Sequence, residues 1–151
     1  LRVPPGHEQY LSLPEIVRRA EAAADAVGVD DHGLEAVQLP FNVQMADAFT
    51  VESHATDGGR QSALWYAHEA GLDVFTSASI GQGDLATALP EGVAAELEGD
   101  TTVQRAINFA RSAPGVTAAL VGMSDPDHVA ENLAAGTFDP LGARAFDAVF
   151  E

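Results

Sequence analysis

Residues 120–133 read LVGMSDPDHVAENL. A run of small apolar residues stops at Gly122-Met123-Ser124, and a helix starts on Asp125-Pro126-Asp127. Aspartate caps the first N–H groups of a helix, and proline suits its first turn, where the missing N–H costs nothing. Glu131 and Asn132 follow one turn further along. A buried strand that empties into a helix N-terminus is half of a β/α unit. It is a usual place to hold a phosphate, because unpaired N–H groups and the positive end of the helix dipole face the ligand. Ordinary strand-to-helix punctuation has the same look, so the rest of the chain decides.

The same alternation runs upstream. Residues 1–13 read as a loop, without an initiating methionine and with Pro4-Pro5-Gly6, as in the middle of a longer protein. PEIVRRAEAAADAV (14–27) is an alanine-rich helix with proline in its first turn, closed by Gly28. LEAVQLPF (34–41) is a short apolar strand ending before Pro40, and a helix is expected from about Gly58 to Ala70 with Leu64, Trp65 and Ala67 available for its buried side. LDVFTSA (72–78) is a second strand and feeds the small-residue loop SASIGQGDL (77–85). Thr101 or Thr102 caps a third helix, VQRAINFARS (103–112), which Pro114-Gly115 ends. VTAALVGM (116–123) is the third strand, and helices over 126–134 and near 142–150 complete the chain.

Strands separated by helices imply a parallel sheet with helical crossovers, hence an α/β fold in one unit spanning residues 1–151. Three strands are too few for a closed (β/α)8 barrel, which takes about 250 residues. A small open doubly wound sheet and a piece of a barrel both satisfy the pattern.

Composition narrows the function. The chain has 23 acidic residues against seven arginines and no lysine, a net charge of −16. Such a surface repels nucleic-acid phosphates and anionic lipid, so neither is expected as a partner. Scattered acid with lysine removed is what high salt tolerates, since the ions screen the self-repulsion; a halophilic source is expected. No cysteine is present, so no disulfide or thiolate metal site can form. The five histidines do not cluster, and neither HExxH nor GxSxG occurs. No metal site is expected. With no bilayer-spanning apolar run and no signal-peptide pattern, a soluble, cytoplasmic protein is expected.

In either architecture ligands bind at the C-terminal ends of the parallel strands. Three segments stand there: QLPFNVQM (38–45), SASIGQGDL and GMSDPDH (122–128). Gln38 is a polar residue within an apolar strand, and its amide offers the donor and the acceptor that a carboxamide such as that of nicotinamide needs. A satisfied interior amide would read the same way. The glycine-rich loop exposes backbone N–H groups able to cradle a pyrophosphate.

Taken together, the three strand ends resemble the C-terminal half of an aldo-keto reductase. VQLPFN resembles the family's sixth-strand segment, and the resemblance puts Gln38 on the nicotinamide carboxamide. SASIGQGDL resembles the seventh-strand loop around the pyrophosphate, implicating Ser77, Ser79, Ile80, Gly81 and Gly83. LVGMSDPDHVAENL resembles the eighth-strand and helix signature. There Gly122 and Ser124 would face the phosphate, His128 would stand nearest the usual basic residue, and Glu131 and Asn132 would face the adenine. The fold so implied is a partial (β/α)8 barrel of three parallel strands alternating with helices. The function implied is the NADP- or NAD-binding half of an oxidoreductase that reduces small carbonyl substrates.

The departures are specific. Ser77 stands where the family stacks an aromatic ring on the nicotinamide, leaving Phe75 or a residue from elsewhere. Asp125 and Asp127 flank His128, so the choice between NADP and NAD stays open. The family's proton-donating tyrosine and its tuning lysine, aspartate and histidine belong to the N-terminal half, and a chain without lysine cannot supply that lysine. No catalytic residue is assigned. Closing the barrel would need the protein's own N-terminal half or a second copy, because open strand edges and wet barrel-facing side chains are unfavourable. A non-catalytic nicotinamide-nucleotide sensor is the alternative reading, and a half-barrel that binds nothing is a third.

Overall fold

The computed structural model describes residues 5–150. Helix α1 (Leu13–Val27) begins where Ser12 accepts a hydrogen bond from the Glu15 N–H and ends at Gly28, whose φ of 73° permits the left-handed turn that returns its N–H to the Ala24 and Asp25 carbonyls. β1 (Ala36–Pro40), β4 (Asp73–Ser77) and β5 (Ala118–Ala119) form one sheet in the order β1-β4-β5. Both pairings are parallel, with Gln38 opposite Phe75 and Phe75 opposite Ala118.

Between β1 and β4 lie α2 (Asp47–Thr50), the hairpin β2 (His54–Thr56) and β3 (Gly59–Gln61), and α3 (Ala63–Glu69). From β4 to β5 the chain passes through a 3-10 turn (Gly81–Ala86), α4 (Glu91–Glu96) and α5 (Thr102–Ser112). After β5 come α6 (Pro126–Ala134), a short 3-10 turn (Ala135–Thr137) and α7 (Ala143–Ala148).

Strand alternation divides the sheet into two unlike faces. Leu39 and Phe41 from the β1 segment and Val74 from β4 join Leu64 and Ala67 of α3, Phe109 and Ala110 of α5 and Phe146 of α7 in one buried core. Three stacked or tilted rings centre it, Phe41 lying 5.9 Å from Phe109 and 6.3 Å from Phe146, and Phe109 5.1 Å from Phe146. The opposite face carries Gln38, Phe75 and Ala118; Gln38 is exposed, and Phe75 and Ala118 are half-buried.

Four sequence expectations need correction. The helix expected from Gly58 starts only at Ala63, because Asp57-Gly58 turns the β2–β3 hairpin and Ser62 is the true cap, accepting the Trp65 N–H at 3.3 Å. Trp65, expected on the buried side, is 56% exposed, since Leu64 and Ala67 are the residues that α3 turns inward. Pro40 closes β1 instead of lying beyond it; it has no N–H to give, and the pairing continues when Phe41 donates to the Ser77 carbonyl. The third strand is paired over two residues, not the eight of VTAALVGM, and its last residues have β4 on one side only.

Candidate functional site

At the C-terminal ends of β4 and β5 lies a cleft of about 500 Å³. Its floor is the loop after β4, with Ala78, Ser79, Ile80, Gln82 and Gly83; one wall is Leu120, Val121 and Gly122, and the other is Val103 of α5 with His128, Glu131 and Asn132 of α6. Of the residues predicted for the cofactor, Ser79, Ile80, Gly83, Gly122, His128, Glu131 and Asn132 therefore line one space.

Gln38, Ser77, Gly81 and Ser124 are not among the residues that line it. Gln38 is exposed, on the sheet face that it shares with Phe75. Ser77 is the last residue of β4, and its carbonyl accepts the Phe41 N–H. Gly81 lies in the turn with its N–H donated to the Ala78 carbonyl, and the Gly83 N–H is likewise donated to Ile80. Those two amides are committed to the turn. Ser124 is exposed just before Asp125, whose carboxylate caps α6 by accepting the Asp127 N–H at 2.8 Å.

The cleft is held by one side chain that sequence reasoning passed over, Gln104, and by one that it named, Ser79. Gln104 of α5 is buried, donates to the Glu131 carbonyl at 3.1 Å, and accepts the N–H groups of Asp100 and Thr101 at 2.8 and 3.2 Å. One side chain thus caps α5 and fixes α6 against it. The signal was legible, because Thr101-x-x-Gln104 is a capping box. Ser79 is also buried: its hydroxyl donates to the Leu120 carbonyl at 3.2 Å and lies 3.3 Å from the Thr76 hydroxyl, tying the loop to β5. Ala78 and Gln82 hold left-handed backbone, with φ of 55° and 57°, which nothing in their side chains announces.

One cleft atom lacks a partner. Oδ1 of Asn132 is buried and accepts no hydrogen bond. A buried acceptor left unpaired costs about 1–3 kcal/mol. Elsewhere, His54 is fully buried; its Nδ1 accepts the Leu13 N–H at 3.3 Å, and its Nε2 has no partner. Burial pushes this imidazole down to about 4, with the Arg60 charge a lesser contributor. Among the described residues, no three histidine or acidic side chains converge to hold a metal ion, and no helix is long and apolar enough to cross a membrane.

No protein-family model matches the chain, and no curated protein matches it. Among solved structures it is similar to the aldo-keto reductase AKR11C1 from Bacillus halodurans in its holo form, with a TM-score of 0.56 and 17% identity over 89% of this chain. The fold is that of part of an aldo-keto reductase barrel. The chain spans 45% of that reductase's length, and at this identity the likeness speaks for the fold alone. Of the two architectures open to the sequence, the partial barrel is the one found.

Proposed function

We propose that this chain is the cofactor-binding half of an NAD(P)H-dependent oxidoreductase of the aldo-keto reductase type, acting on small carbonyl substrates. The observation that carries the reading is the cleft at the ends of β4 and β5, where the unpaired Asn132 oxygen, Glu131, His128 and the small-residue loop meet. Asn132 would accept from the exocyclic amine of adenine, and Gly122, with open space where a Cβ would stand, would let a phosphate approach the backbone. Ser124, Ser77 and Gly81 would contribute from the loops around it. NADP and NAD both fit. His128 could face a ribose phosphate, whereas Asp125 and Asp127 at the helix start disfavour a further anion.

When bound, the nicotinamide supplies a hydride to a carbonyl carbon. Gln38 would hold its carboxamide. Phe75, on the same sheet face and in register with Gln38, would cover the ring in place of the aromatic that Ser77 lacks. That pairing favours the enzymatic reading over a non-catalytic nucleotide sensor. The proton donor comes from outside this chain, which contains no lysine to tune one.

Leu120, Met123, Val129 and Leu133 form an exposed apolar group around β5 and α6, Leu133 being 68% exposed. Those side chains and the Gln38 face of the sheet would pack against the strands and helices that complete the barrel. A second copy fits less well, since two copies supply six strands and a closed barrel needs eight. The protein's own N-terminal half is therefore the preferred partner. The strong negative charge fits a halophile's cytoplasm.

Fluorescence titration of NADPH and NADH, in molar salt, tests the reading. Saturable binding by the complete barrel, lost when Asn132 is replaced by leucine, is the expected result. Absence of binding by the complete barrel would overturn it.

A further inference from the structure

We propose that Asn42, which does not line the cleft, is a positioning residue that sets the cleft's shape by holding Ala78 in its left-handed conformation. The inference rests on the cleft's being a nucleotide site only for its last consequence; the conformational claim stands alone.

Asn42 follows β1 and is 1% exposed. Its Nδ2 donates to the Ala78 carbonyl at 2.7 Å, and its Oδ1 accepts the Gln44 N–H at 2.8 Å. Both halves of the amide are used, so its orientation is fixed: exchanging oxygen for nitrogen would set carbonyl against carbonyl and donor against donor. The Ala78 carbonyl receives a second bond from the Gly81 N–H at 2.8 Å. Two donors therefore pin a peptide whose residue has a φ of 55°, a region that a side chain with a Cβ seldom enters.

That peptide determines where the loop goes next. Directly after it, Ser79 turns inward and donates to the Leu120 carbonyl at 3.2 Å. The ends of all three strands are thus joined in one line, from Asn42 after β1, through Ala78 and Ser79 after β4, to Leu120 after β5. Ala78, Ser79 and Leu120 all border the cleft. Release of the first link lets Ala78 relax to ordinary φ and moves the cleft's floor.

The test uses Asn42→Asp, which keeps the shape and the acceptor for Gln44 but sets a carboxylate oxygen against the Ala78 carbonyl. Amide exchange by NMR on the unliganded protein should show the Gly81 N–H exchanging about tenfold faster, the ratio that the cost of a left-handed alanine implies, with α5 amides unchanged. Adding Ala78→Gly, which removes that cost, should restore the Gly81 protection. Unchanged Gly81 exchange overturns the proposal, as does faster exchange throughout α1 and α5, which would make Asn42 a general structural residue. NADPH titration of the same variants then reads the consequence: about tenfold weaker binding for Asn42→Asp, recovered by the second substitution. If the parent protein binds no NADPH, the cofactor reading falls, while the Gly81 result still decides the role of Asn42.

Discussion

The buried His54 makes stability depend on pH in a way that can be worked out in advance. The ring is fully enclosed, and Nδ1 accepts the first N–H of α1, so the neutral form carries its proton on Nε2. A second proton would have to sit on Nδ1, facing the Leu13 N–H, in a site that already holds the imidazole down to about 4 against 6.5 for a free one. Because the folded value is depressed, the unfolded chain takes up the proton first. Stability is at its full value above 6.5 and is lost as pH falls from there towards 4. At 1.36 kcal/mol for each pH unit of separation, the loss is ~3 kcal/mol, a large share of a small domain's total. The perturbation is Asn in place of His54, since its Oδ1 keeps an acceptor for α1 but does not titrate. Urea unfolding of both proteins at pH 7, 6, 5 and 4, in molar salt to screen the net charge of −16, gives the difference directly. The many carboxylates protonate in both proteins and cancel. The parent should lose ~3 kcal/mol more than His54→Asn between pH 7 and pH 4. Parallel curves would refute the reasoning and mean that the ring is charged, or solvated, in the folded state.

Three further outcomes follow from the packing and the caps. Thr101→Ala removes the hydroxyl that accepts the Gln104 N–H and half of the capping box, and should cost about 1 kcal/mol in thermal or urea unfolding. Phe41→Ala empties the centre of the ring cluster and should cost about 3–5 kcal/mol, with loss of near-ultraviolet circular dichroism from the packed rings. Gln38→Ala, in the complete protein, should weaken nicotinamide nucleotide binding about fivefold by fluorescence titration; unchanged affinity would remove Gln38 from the site.

What the sequence made legible follows from how local each signal was. The span Pro126–Ala134 matched α6 because Asp125 and Pro126 start a helix by chemistry confined to one turn. Pro14, Gly28 and Thr101 worked in the same way for α1 and α5. The β2–β3 hairpin was missed because Gly58 was read as a helix start, although Asp-Gly between two short segments is also a two-residue hairpin turn, here Asp57-Gly58. The cleft was legible only in part. His128, Glu131 and Asn132 came from the family resemblance of their segment, whereas the left-handed backbone of Ala78 and Gln82 is nothing that an alanine or glutamine signals.

The disagreement over the third strand is the most informative of these. Thr117 and Leu120 donate to the Val74 and Thr76 carbonyls, so residues 117–120 already follow the edge of β4. The apolar run nevertheless continues to Met123, and Leu120 and Met123 are exposed. A strand with a neighbour on one side alternates apolar with polar residues, whereas a continuous apolar run is the pattern of a strand covered on both faces and paired on both edges. Val116–Met123 has the second pattern in the surroundings of the first. The same mismatch occurs one element later, where Val129 and Leu133, one turn apart on α6, both face solvent. Two successive elements thus carry apolar residues of the kind composed for burial and leave them exposed.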